Sequence, residues 1–388
     1  MLELTKGGVE VKRILVIIGK FWILIPLILA ALMFFLLPLM PEVTEYVFSR
    51  VLFKAVTVPV GFITSLFPFS FTELLVVLAV PLVGLLIFLL VRKIGKCENK
   101  PDRKKVLIKA GKGLCGFVSF ACLMYMICHG ANYYRLPLEK TMKLDTSPKK
   151  AEFLLEVCKT LAAEANNAAE GLPQNPDGST KLPESRTNEL KRAGSGYDKL
   201  VKDYPFLWTS VSRQKPVMLS EAWSYTHITG MYFPFFAECN VNIAQPDYLI
   251  PSTAAHESAH SRGIAFENEC NFLAFLSCIN SDYPEYRYSG YMMAFTYCSN
   301  ELDYEMWVEA NSLLSERMKA DFAANSKYIY DHSSHGTGTV ADEIIGTVNE
   351  VSHSANDAFI TIQGVEDGTR SYGRVTKLIL AYYAQKLA

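Results

Sequence analysis

What the chain has little of narrows the field first. Only seven of its 388 residues are histidine, and the formal net charge is −1. With no basic excess there is no electrostatic footprint for nucleic acid, so none is expected as a partner. Nine cysteines are present but none in a CxxC pair, which argues against a zinc ribbon. Five of them (Cys158, Cys239, Cys270, Cys278 and Cys298) follow residue 131, an odd number that does not suit a full disulfide framework. No GxSxG elbow occurs, and Gly336-Thr337-Gly338 lacks the lysine that would make it a phosphate loop. Charge itself is missing from long stretches of the first third.

Those uncharged stretches read as membrane spans. Phe21 to Met40 is long enough to cross a bilayer as a helix, and Leu74 to Val91 is a second such run. Gly113 to Cys128 is shorter and reaches spanning length if Lys109 and Lys112 snorkel to the headgroups. The first run is too long for a signal-peptide core and has no small-residue cleavage site, so it reads as an anchor. Lys6, Lys12 and Arg13 precede it, the connection from 41 to 71 has only Arg50 and Lys54, and nine basic residues crowd positions 92–112. By the positive-inside rule, the amino terminus and the 92–112 loop are cytoplasmic and everything after about residue 131 is outside.

Beyond the spans the pattern is mostly helical. Lys149 to Gly171 and Glu184 to Lys202 read as helices, separated by the breaker-rich 172–183. Gly230 to Ile243 is aromatic and β-prone, which predicts a short strand and turn. A helix opening near Pro251, capped by Ser252 or Thr253, should end at Gly263. Helical patterns follow over 267–281, 286–317 and 372–387, and 326–338 reads as mobile surface.

The most telling residues sit in the first of those helices. In His256-Glu257-Ser258-Ala259-His260 both histidines share a helical face, so two imidazoles can ligate one metal ion with a glutamate beside its water. In a chain this poor in histidine the pattern is rare by chance. Zinc in a catalytic site takes three protein ligands and leaves a position for water. Glu267 and Glu269 are the candidates for the third ligand. Glu267 is preferred because Asn271, one turn on, could then orient a ligating histidine. Glu257 would be the general base, with the zinc lowering the pKa of the attacking water. Tyr291, His353 and Tyr372 are candidate oxyanion donors. His332 and His335 read as part of a solvated loop, His129 as lying in the membrane interface, and His227 as a satisfied polar group.

His256-Glu257-x-x-His260-x-x-Gly263 with Glu267-x-Glu269-x-Asn271 resembles an uncharacterised family of bacterial membrane proteins with a zincin-type motif, domain of unknown function family 3810. Tyr288-Ser289-Gly290-Tyr291, Asn356-Asp357 and Ser371-Tyr372-Gly373 extend the likeness. The resemblance implies architecture rather than activity. Glu267 with Asn271 is also similar to the glutamate-liganded branch of zinc peptidases, with Asn where that branch usually has Asp. The expected fold is mainly α: three transmembrane helices in a membrane domain (1–130), then a zincin-like, mostly helical α+β extracytoplasmic domain (131–388). The expected function is a membrane-anchored zinc peptidase acting on peptides or proteins. The alternative is a non-catalytic receptor or assembly factor with a structural zinc.

Overall fold

The computed structural model describes residues 22–208, 210–362 and 372–387. Lys6, Lys12, Arg13, Phe21 and Ser371 lie outside the described residues, as do the side chains of Asn356 and Tyr372. The chain is mainly helical with one small sheet.

Four helices near the amino terminus are long and apolar enough to cross a membrane: α1 (Trp22–Leu39), α2 (Pro41–Ser65), α3 (Phe71–Gly95) and α4 (Lys100–Cys128). Sequence reading predicted three and took the second of these for a connection. Its apolar residues are interrupted by Glu42, Glu45, Arg50 and Lys54, so no uncharged run of spanning length marks it. For Glu45 the reason is packing. Glu45, Ser49, Phe53, Thr57, Gly61 and Thr64 line one buried face of α2. Arg135 clamps Glu45 there with two bonds of 2.7 and 2.8 Å and donates a third, of 2.6 Å, to the Gly263 carbonyl. The opposite stripe, including Tyr46, Val47, Val51, Phe62 and Ile63, is exposed.

The remaining chain folds around α5 (Ala151–Ala169), α6 (Ser195–Asp203), α7 (Ile250–His260), α8 (Glu267–Ile279) and α9 (Pro284–Ser299). α5 buries Leu154, Leu155, Cys158, Leu161, Ala162 and Ala165, the three-to-four spacing of a helix with one apolar face. That face meets Phe295 and Met292 of α9 in a core that also takes Phe272, Leu273 and Phe275 from α8. The predicted 286–317 helix is broken into α9, α10 (Tyr304–Ser312) and α11 (Glu316–Asp331), with Asp303 and Ser315 capping the later two. The 326–338 segment is therefore half helix rather than surface loop. α12 (Val340–Ile362) follows it, and α13 (Tyr372–Leu387) returns to the core. None of the nine cysteines is in a disulfide, and the five after residue 131 are all buried.

A three-stranded sheet, β1 (Gln214–Pro216), β2 (Gly230–Phe233) and β3 (Glu238–Val241), runs in the order β1-β3-β2, with β1 parallel and β2 antiparallel to β3. It ties this domain to the membrane helices. Lys215 and Glu238 are each 1% exposed and form an ion pair. Glu238 also accepts from the Phe71 and Thr72 backbone N–H groups and the Thr72 hydroxyl, so it caps the first turn of α3. Lys215 donates to the Thr64 and Phe69 carbonyls. Removing one partner would strand a buried charge. Glu238→Ala should cost about 3–5 kcal/mol and lower the Tm of the detergent-solubilised full chain, while Lys215→Met with Glu238→Leu should cost less. Equal melting temperatures for wild type and Glu238→Ala would refute this account.

Candidate metal centre

α7 begins at Ile250 with Pro251 in its first turn and no side-chain cap; the expected Ser252 or Thr253 cap is not formed. Ser252 lies inside the helix, its N–H bonded to the Ser289 hydroxyl. The turn after α7 is as predicted. Gly263 has φ +79°, the left-handed region glycine adopts without strain, and the chain reverses there so that α8 packs along α7.

This reversal places Glu267, the first residue of α8, over the imidazoles of His256 and His260. The two Nε2 atoms are 3.2 Å apart. Glu267 Oε2 is 3.1 Å from His256 Nε2, and Oε1 is 3.5 Å from His260 Nε2. Ligand atoms about 2.0–2.1 Å from a tetrahedral zinc ion are separated by about 3.3 Å, so the three side chains have the edge lengths of such a site. The other ring nitrogens are already engaged. His256 Nδ1 donates to Asn271 Oδ1 at 2.7 Å, and His260 Nδ1 donates to the Ile264 carbonyl at 2.9 Å. With both Nδ1 hydrogens committed there, each Nε2 faces the cluster and offers it a lone pair once its own proton has left, the orientation a metal requires. Burial opposes ionisation of Glu267, but the imidazoles outweigh it and hold the carboxyl well below its ordinary range. Its side chain is still 39% exposed, so the centre is open on that side.

Glu269 points elsewhere. It is buried and accepts from the Leu138 N–H at 2.6 Å, and burial lifts its carboxyl to about 7. Cys270 Sγ also comes near, within 4.8 Å of one ligand atom each on His256 and His260. It lies 3.3 Å from His260 Nδ1, the nitrogen turned away from Glu267, and burial pushes its thiol up to about 12. Glu267 is the better third ligand on both geometry and ionisation.

Glu257 is 3% exposed and projects beside the cluster. Its Oε2 is buried with no hydrogen-bond partner among the described residues, and burial raises the carboxyl above its ordinary value, partly countered by the two imidazoles. A buried carboxylate oxygen without a donor is costly, and a water held by a metal at His256, His260 and Glu267 would relieve it. The donor set and this orphaned oxygen both fit zinc. Gly230 forms the wall next to Glu257: a Cβ there would lie 2.5 Å from its Oε1.

The oxyanion candidates are not gathered here. Tyr291 packs against Phe275, exposed His353 pairs with His227 at 3.3 Å, and the Tyr372 side chain lies outside the described residues. His332 is buried rather than solvated, bonded to the Tyr328 carbonyl and to Glu221. Two rings that sequence reading did not assign to the site adjoin His260: Tyr232 stacks on it at 6.3 Å and His129 stands at 6.0 Å. Burial pushes the His129 imidazole down to about 3, so it is neutral. Nothing in the spacing links residues 129 and 260; only the position of His129 at the end of the third apolar run hinted at its surroundings.

A family model described as "Protein of unknown function (DUF3810)" matches residues 48–380, from within α2 to α13. The chain belongs to this family. Its matched region takes in the whole metal-ligand cluster and the helices that frame it. No curated protein and no solved structure matches the chain.

With the full chain in detergent, Glu267→Ala should abolish stoichiometric zinc uptake, whereas Glu269→Gln should retain it. Asn271→Ala should weaken zinc about 10–100-fold, measured by competition with a chromophoric chelator. Retention by the Glu267 variant with loss by the Glu269 variant would reverse the ligand assignment.

Proposed function

We propose that this protein is a membrane-anchored zinc peptidase, with zinc held by His256, His260 and Glu267 and with Glu257 as general base. The observation that carries the reading is the unpartnered Glu257 oxygen beside three converging ligands on an open cluster. Zinc bound there would polarise a water and bring its pKa toward neutrality. Glu257 takes the proton of the attacking water and hands it to the leaving amine. Its burial supports both roles, because a carboxyl raised above its ordinary value is a better base than one in water. Asn271 and the Ile264 carbonyl fix the imidazoles, so the ligands need little reorganisation. β2 is one of the two edge strands among the described residues, and Gly230 brings its backbone against Glu257, which suits an extended peptide laid along that edge.

The apolar helices support a site of work at a bilayer. Orientation is read from charge. α3 begins and α4 ends against the outer domain, so the basic residues of 92–112 cluster at the far end of this helical pair. That supports a cytoplasmic basic end and an extracytoplasmic zincin-like domain. A purely structural zinc would have its fourth position closed by protein; the exposure of Glu267 argues against that.

Glu257→Gln should keep about one zinc per chain, as such three-ligand sites do, and lower peptide cleavage at least about 100-fold, the usual scale for a lost general base. Undiminished cleavage by the Gln variant, followed with a peptide library by mass spectrometry, would remove Glu257 from the mechanism.

A further inference from the structure

The membrane surface can be located on this molecule, and it passes beside the metal cluster. The uncharged part of α4, Gly113–Cys128, is sixteen residues long. At about 1.5 Å per residue it rises about 24 Å, short of the roughly 30 Å hydrocarbon core. α4 therefore has no length to spare, and Cys128 cannot stand clear of the bilayer. His129 follows directly and lies 6.0 Å, ring to ring, from His260. The end of α1 gives the same level: Phe34 packs on Tyr134, and Tyr133 packs on Phe266, the residue before Glu267.

α2 supplies an independent measure. Its 25 residues extend about 37 Å. Yet Glu45 near its start bonds Arg135, Phe53 in its middle lies against Gly263, and Thr64 near its end donates to the Phe236 carbonyl. A helix held to one polar domain along its whole length runs parallel to that domain's surface. Its exposed stripe (Tyr46, Val47, Val51, Phe62, Ile63) faces away from the domain, while the last turns of α1 and the first turn of α3, at its two ends, both lie against residues of the domain side. α2 thus lies in the plane of the bilayer as an amphipathic helix, and the chain crosses three times, by α1, α3 and α4.

From this we infer that the metal cluster works in the headgroup layer and that its substrates are membrane-anchored polypeptides, cut within the first few residues outside the bilayer. The inference rests on the peptidase reading and names its substrate class. A site at this depth meets a juxtamembrane segment at high effective concentration. A free peptide must instead find the same site from bulk water against the bilayer surface.

The test uses the full chain in liposomes loaded with zinc. One substrate is a randomised polypeptide fused to a single transmembrane helix, and the other is the same random sequence without the anchor. Cuts should cluster within about ten residues, roughly 35 Å of extended chain, from the anchor, with the free library cut at least tenfold less. Cuts spread evenly along the tethered chain, or equal cleavage of both substrates, would overturn the substrate assignment and leave the peptidase reading standing. Cleavage of neither would overturn both. A second readout needs no catalysis. Trp208 donates to the Arg262 carbonyl, two residues beyond His260. In a Trp22→Phe, Trp223→Phe, Trp307→Phe variant, its fluorescence should be quenched by headgroup nitroxide lipids more than by aqueous iodide. The reverse order would place the cluster above the membrane and defeat the inference.

Discussion

Everything in the site depends on how Glu267 faces the two Nε2 atoms of α7. A carboxylate and two imidazoles brought within 3.1–3.5 Å of one another repel or pair poorly unless protons or a cation lie among them. The fold accepts that cost and fixes it. Gly263 turns the chain, Asn271 and Ile264 hold the rings, and the close α7–α8 packing keeps Glu267 in place. Such convergence, built from two helices and a glycine turn, is an arrangement that a bound cation would stabilise beyond what packing alone supplies.

Much of this was legible in sequence because it is local. The i, i+4 histidines, the glycine stop and the glutamate with an asparagine one turn later all follow from helical periodicity over sixteen consecutive residues, His256 to Asn271. The choice between Glu267 and Glu269 was harder, since both lie in the first turn of α8. The structure separates them by what they meet: imidazoles for one, the Leu138 N–H for the other.

What escaped sequence reading is non-local. α2 looked like a connection because, Phe53 apart, its buried face is made of Glu, Ser, Thr and Gly, residues suited to a polar domain surface and not to lipid. β1 is three residues long, with Lys215 at its centre, and has no alternation to betray it. α11 and α12 were missed for a different reason: the histidine and glycine-rich stretch between them looks like loop, and it is loop, but it occupies less of 326–338 than composition suggests. The closeness of His129 to His260 is set by how the end of α4 meets the helical domain that follows it, which no window on the sequence contains.

The buried Lys215–Glu238 pair has a mechanical consequence. It anchors the sheet to the start of α3, while Arg135 ties Glu45 of α2 to the Gly263 turn and the peptide chain itself joins α4 to the segment beside His260. Three attachments therefore join the sheet, the Gly263 turn and the segment beside His260 to the apolar helices, one through hydrogen bonds capping α3, one through a buried ion pair and one through the chain itself. A body held at three places resists swivelling and tilting. The candidate cluster is thus carried at a set position relative to those helices.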